Sequence, residues 1–456
     1  FERHDGQAVT CDDFVAAMSD ASSIDLSQFK RWYNHCGTPR LNVTKKYDEA
    51  SQIFSLTVEQ LTPANQPDNA MLHIPFAIEL LDSQGQSITL QYQGKQLDNV
   101  LDVTNSSQTF YFDNIHSNPT AVLLEDFSAP CILNQSISEA DLLHIMRFAR
   151  SDFSRWDAQQ QLFINALKAN VTSASKTPLS EEVIDALRTL LSQREGDLAL
   201  IAELLKLPSF DTLAAEFEII PVDQITANIE LFEQQIATQL HSEFLSCYQA
   251  IIDDGSVSAQ AVAIRALKQL CLHYLAKTDS VDAASLIEQA ASSTNMTNVL
   301  GALSSVVKAA HPLSDQLLEH FDAQWRHDVL VMDKWFALQA MNSAEGAIEK
   351  IKALYSHPCF DFSNPNRVRA LVGSFSHFNT AQFHRLDGKG YTLLGDLLIK
   401  LNAINPQNAS RMLTPFMSWR RYDERRATAM RAQLERLANL EDLSDDLFEK
   451  VEKALQ

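Results

Sequence analysis

The hydrophobic pattern changes period along the chain. Near the start, Thr10-Cys11-Asp12-Asp13 has the Ser/Thr-x-x-acid form of a capped helix start, and Phe14, Val15 and Met18 follow as an apolar stripe. Asp5-Gly6 before it reads as a turn, and Phe1–His4 read as the last turn of a longer segment, so the expectation is a chain that continues upstream. From about residue 31 to 131 the period is two. "IFSLTVEQ" sets Phe54, Leu56 and Val58 against Ser55, Thr57 and Glu59. "LHIPFAIEL" sets Leu72, Ile74, Phe76, Ile78 and Leu80 against His73, Pro75, Ala77 and Glu79. "DSQGQS" makes a turn before "ITLQYQ", and "TFYFD" and "AVLLEDF" add further short strands. Such runs broken by turn residues predict an antiparallel β-sandwich, with Pro75 marking an edge.

From "SEADLLHIMRFAR" at Ser138 the period is helical to the end, and residues 132–456 are read as one all-helical domain. Leu142, Ile145, Met146 and Ala149 fall on one face, as do Ile264, Leu267, Cys271, Tyr274 and Leu275. "NPNRVRALV" from Asn364 and "NPQNASRML" from Asn405 echo one another 41 residues apart. In each, Asn suits an N-cap and Pro the first helical position, where its missing N–H costs nothing. That spacing matches two-helix HEAT or armadillo units, so an all-α superhelical array with a curved binding surface is expected.

Charge narrows the partners. The 456 residues carry a formal net charge of −21. A polyanion would be repelled over most of such a surface, so no nucleic-acid partner is expected. The basic stretch "WRRYDERR" at Trp419–Arg426 reads as a solvated helical face with internal ion pairs. No run of 18 apolar residues occurs, so no membrane partner is expected either. The six cysteines are widely separated and form no CxxC pair, which argues against zinc ribbons and thioredoxin-type chemistry and for a reducing, cytoplasmic setting.

Reaction chemistry is hard to find in the pattern. There is no HExxH, and His320 with His327, like His377 with His384, stand seven residues apart, about 10 Å along a helix and too far to share an ion. His144 lies off its helix's apolar stripe and reads as solvated. "LDGKGYTLLG" fits neither the dinucleotide nor the Walker A spacing and reads as a turn before a helix near Tyr391. Catalytic and metal residues are therefore expected to be none. The candidate binding groups are arginines: Arg367 and Arg369 flank the stripe of Val368, Leu371, Val372 and Phe375, and Arg411 sits at a similar depth in the next unit. Arginines on neighbouring helices can hold a carboxylate through bidentate hydrogen bonds, or can form inter-helix salt bridges and bond carbonyls.

The stretches "FERHDGQAVTCDDFVAAM", "DFSRWDA", "LVMDKWF", "NPNRVRALV", "DGKGY", "NPQNASR" and "RYDERR" together resemble the bacterial aminopeptidase N family of gluzincin zinc metallopeptidases, from Phe1 to Gln456. The resemblance implies a monomeric parent about twice this length that removes N-terminal residues from peptide substrates. It implies Zn2+ bound by HExxH and a downstream Glu, a GAMEN stretch for the substrate amine and a Tyr for the oxyanion, all preceding this chain. Zinc there would lower the pKa of a water and polarise the carbonyl. Residues 1–30 would then be the C-terminal tail of a thermolysin-like catalytic domain, 31–131 the small β-sandwich, and 132–456 the superhelical bowl that walls the cleft. By the same resemblance Arg369, Gln407 and Arg411 face the internal cavity and contact substrate. The region alone would bind no cofactor and be inactive, its partners being peptides and the missing N-terminal catalytic half. A free-standing helical-repeat interaction module is the alternative, and an independent enzyme with a dispersed active site a third.

Overall fold

The computed structural model describes residues 1–61, 71–173, 176–193 and 196–456. They divide into two compact units, Phe1–Leu162 and Phe163–Gln456.

In the first unit, helix α1 (Cys11–Ser22) starts at the Thr10 capping box anticipated from the sequence: Thr10 Oγ1 accepts from the Asp13 N–H, and Asp13 accepts from the Thr10 N–H. Its stripe is only partly covered. Val15 is buried, whereas Phe14 and Met18 are 53% and 47% exposed.

The strands are β1 (Arg40–Asp48), β2 (Ile53–Leu61), β3 (Ile74–Leu81), β4 (Gln91–Tyr92), β5 (Lys95–Gln96), β6 (Val100–Val103), β7 (Ser107–Phe112), β8 (Thr120–Leu123) and β9 (Ile132–Asn134). They form a four-stranded sheet ordered β7-β2-β1-β9, a three-stranded sheet β6-β3-β8 and a β4-β5 ribbon. Leu41, Phe54, Leu56 and Val58 of the first sheet meet Ile74, Phe76, Ile78 and Val103 of the second in one core. Alternation thus delivers each apolar set to the inner face. Two details differ from expectation. The β1–β9 pair is parallel within otherwise antiparallel sheets. β3 is a central strand, but β6 pairs with it at residues 74–77 and β8 only at 78–81. Pro75 therefore has a strand neighbour on one side, which is how a proline fits an interior strand.

Helices α2 (Glu139–Phe148) and α3 (Asp152–Thr172) follow. The stripe Leu142, Ile145, Met146 and Ala149 is buried as anticipated. His144 is not solvated: it is half-buried, and its Nε2 lies 2.8 Å from the Asp82 carbonyl.

The second unit is helical. It contains α4 (Glu181–Ser192), α5 (Leu198–Leu204), α6 (Phe210–Ala214), α7 (Val222–Gln239), α8 (His241–Ala250), α9 (Ala259–Leu275) and α10 (Val281–Ala291). Then come α11 (Met296–Lys308), α12 (Ser314–Trp325), α13 (Val329–Ala340), α14 (Ala347–Leu354), α15 (Pro365–Val368), α16 (Ser374–Phe378), α17 (Thr380–Phe383), α18 (Lys389–Ile404), α19 (Pro406–Met412), α20 (Glu424–Ala438) and α21 (Asp445–Leu455). A π-helical turn, Arg369–Gly373, joins α15 to α16. Alternate helices stack: α7 packs on α9, α9 on α11, α11 on α13, and α13 on the π-turn. The helices between them, α8, α10 and α12, pack against the same stack. This alternation is a two-helix repeat of the kind expected from the Asn-Pro spacing.

The expectation for "WRRYDERR" holds in part: Arg426 pairs with Asp423 within the stretch and Arg420, Arg421, Glu424 and Arg425 are exposed, but the arginines are not simply solvated. Arg420 donates to the Ala454 and Leu455 carbonyls, and Arg421 to those of Ala214 and Phe217. Arg426 is buried, donating to the His384 carbonyl and to Asp223 and Asp423. These arginines tie helix ends together because the last carbonyls of a helix lack intrahelical donors, and a guanidinium reaches two at once.

Candidate functional site

Both Asn-Pro starts form as their residue types require. Asn364 Oδ1 accepts from the N–H groups of Asn366 and Arg367, and Asn405 Oδ1 from that of Asn408, with Pro365 and Pro406 at the first helical positions. Val368, Leu371, Val372 and Phe375 are fully buried. The π-turn inserts an extra residue after Val368, a device common at functional positions.

The two arginines beside the stripe divide. Arg367 is 2% exposed: its Nε bonds Asp333 at 2.6 Å, its Nη atoms reach the carbonyls of Cys359 and Val329, and its guanidinium lies 4.8 Å from the Phe336 ring. It is an inter-helix tie. Arg369 is exposed, with one hydrogen bond of 3.1 Å to Asn366 Oδ1. Gln407 and Arg411 are exposed as well. The two segments meet at Gly373, where a Cβ would lie 3.2 Å from Arg369 Cγ and 3.4 Å from Cε of Met412, the residue after Arg411. The fold thus brings the Arg369 and Arg411 segments together and takes Arg367 out of play.

A separate cavity of about 810 Å³ opens elsewhere in the helical unit. It is lined by the faces Thr226–Ile229–Glu230–Glu233 of α7, Ala266–Gln269–Leu270–His273 of α9 and Gly301–Ser304–Ser305–Lys308 of α11. His377 and Phe378 of α16 close one side, and Arg369, Gln407 and Arg411 are not among its lining residues. On the α7 side Lys277 Nζ bridges Glu230 at 2.8 Å and Glu233 at 2.9 Å, and His273 Nε2 lies 3.0 Å from Glu233. Burial alone would raise the Glu233 pKa; the His273 and Lys277 contacts outweigh it and hold the carboxyl at about 2. Sequence reasoning missed this cavity: α11 carries a full polar and small-residue stripe at i, i+3, i+4 and i+7, but Ile229 and Leu270 interrupt it on α7 and α9.

The histidines follow different fates. His320 and His327 are exposed, and His327 stacks on Trp325. His384 is buried, with Nδ1 2.8 Å from the Tyr391 hydroxyl. Burial first, then the Arg426 charge, pushes it down to about 3, so it is neutral at physiological pH. Among the described residues no three His, Cys, Asp or Glu side chains converge as a metal site, so nothing here fits the zinc that the resemblance implies. None of the six cysteines forms a disulfide among the described residues, and no described helix is long and apolar enough to cross a membrane.

An Ig-like sandwich followed by an armadillo-type helical array defines the class. A family model described as a domain of unknown function with ARM repeats (DUF3458_C) matches residues 139–456, and one with an Ig-like fold (DUF3458) matches 37–136. The chain belongs to the DUF3458_C family. It is similar to aminopeptidase N of Escherichia coli (strain K12), 45% identical over 462 residues, covering 100% of this chain and 53% of that protein. It is similar also to aminopeptidase N of Haemophilus influenzae, 43% identical over 460 residues, covering 99% and 53%. The crystal structure of Legionella pneumophila aminopeptidase A in complex with aspartic acid superposes with a TM-score of 0.85 at 28% identity, over 99% of this chain and 52% of that one. The chain spans about half the length of these relatives, and it corresponds to the C-terminal half of aminopeptidase N.

Proposed function

We propose that this chain is the peptide-handling C-terminal portion of a zinc-dependent aminopeptidase, with the zinc and the reacting groups carried by the N-terminal half of the longer polypeptide. The observation that carries this reading is similarity to aminopeptidase N at 45% and 43% identity along essentially the whole chain, over only 53% of each relative. In this reading residues 1–30 end the catalytic domain, 31–131 form the sandwich, and 132–456 form the wall that limits entry to peptides. The exposed Phe14 and Met18 suit a helix covered by the catalytic half. The unbridged cysteines support a cytoplasmic setting, the −21 charge argues against nucleic acid, and the parent acts as a monomer. When bound in the other half, zinc would activate water and polarise the scissile carbonyl.

Within that reading Arg369, Gln407 and Arg411 contact the substrate beyond the scissile bond. Arg369 and Arg411 are exposed, on segments that meet at Gly373, and an arginine fork suits a carboxylate or backbone carbonyls. The test is steady-state kinetics of Arg369→Ala, Arg411→Ala in the full-length polypeptide. For a tetrapeptide the double variant should raise KM about tenfold, while a single-residue arylamide, too short to reach them, should be unaffected. An unchanged tetrapeptide KM and kcat would remove these residues from the substrate path.

A further inference from the structure

The cavity between α7, α9 and α11 has a polarity of its own. On the α7 side, Glu230 and Glu233 share the Lys277 ammonium, and His273 Nε2 lies against Glu233 as well. Glu230 remains 64% exposed. Asp211, also on the cavity wall, is exposed and has no ion-pair partner among the described residues. On the α11 side Lys308 is exposed and likewise has no ion-pair partner among the described residues, and His377 stands exposed on the same wall. The floor between them mixes small and hydrogen-bonding groups, Ala266, Gly301, Ser304 and Gln269, with the apolar Ile229 and Leu270. At Gly301 a Cβ would meet the Gln269 side chain at 2.5 Å, so glycine lets that amide lie across α11 and bond the Thr297 carbonyl at 2.9 Å. An acidic rim, a floor of mixed small, polar and apolar groups and a basic rim together match an extended backbone with opposite charges at its ends.

We propose that this cavity is a second peptide-binding site, holding a short extended peptide across the helices with its ammonium over Glu230 and Asp211 and its terminal carboxylate on Lys308. Adjacent helix axes lie about 8–10 Å apart, so crossing from α7 to α11 spans about 16–20 Å. At roughly 3.4 Å per extended residue, five or six residues fill that span. A tripeptide reaches one rim at a time. The choice of a peptide as ligand rests on the peptidase reading; the polarity and length of the site rest on these side chains alone.

The test is calorimetric titration of the 456-residue chain carrying Arg369→Ala and Arg411→Ala, which removes the other proposed carboxylate contact. The probes are the hexapeptide Ala-Ser-Ala-Ser-Ala-Ser with free ends, its N-acetyl form, its C-terminal amide, and the tripeptide Ala-Ser-Ala. The free hexapeptide should bind, each blocked end should weaken binding about tenfold, and the tripeptide should bind more weakly than the hexapeptide. In Lys308→Met, an exposed substitution checked for an unchanged melting curve, amidation should have no further effect. Absence of hexapeptide binding, equal affinity for the free and amidated forms, or amide discrimination that survives Lys308→Met would each overturn the proposal. Because the readout is binding without turnover, a negative result here leaves the peptidase assignment standing, and a failure of that assignment leaves this titration interpretable.

Discussion

Arg367 and Arg369 are two positions apart and live in different physical worlds. Arg367 is buried with Asp333 and two carbonyls as partners, so removing it leaves a part-buried carboxylate and two carbonyl acceptors without their donor. Arg367→Ala should cost about 3–5 kcal/mol, whereas Arg369→Ala, at an exposed position, should stay within about 0.5 kcal/mol, both read by urea denaturation. Glu233 gives a pH signature. Its pKa falls from 4.5 to about 2 on folding, so its contribution is complete above about pH 4.5 and is lost as pH drops toward 2. Glu233→Gln should therefore destabilise the helical unit by ~2–3 kcal/mol at pH 7, and the difference should shrink to nothing near pH 2. A constant difference across that range would mean that the His273 and Lys277 contacts do not set its ionisation.

Among the elements, the turn "LDGKGY" illustrates how geometry selects residue type. Gly388 has φ +71° as the residue before α18, and a Cβ on Gly390 would sit 2.7 Å from the Phe383 Cα. Gly390→Ala therefore forces backbone apart and should cost about 1–3 kcal/mol, whereas Gly196→Ala, with nothing within 4 Å, should be near neutral in the same denaturation series. Elements of this kind were legible in the sequence because their signals are local: capping boxes, Asn-Pro starts, period-2 strands and the turn itself. What the pattern did not carry was long-range pairing. Whether Arg367 meets Asp333, or Arg421 meets the Ala214 carbonyl, depends on which helix ends the fold juxtaposes. Pro75 misled for the same reason, since its one-sided neighbourhood comes from where β8 stops pairing. The cavity stripes of α7, α9 and α11 escaped notice because a polar helix face reads as solvated until its neighbours are known.

At the scale of the whole chain, an Ig-like sandwich and a two-helix array are joined in one polypeptide that spans about half of its aminopeptidase relatives. Among the described residues no cluster of His, Cys, Asp or Glu could hold a metal, and the proposed reading gives substrate handling to this half and bond cleavage to the other. The direct test is hydrolysis of an alanyl arylamide by the purified chain with added zinc, against a chelator-treated control. The account predicts no turnover above the control. Zinc-dependent turnover that persists after removal of host peptidases would contradict it, placing a working metal centre among this chain's own thirteen histidines and its acidic residues.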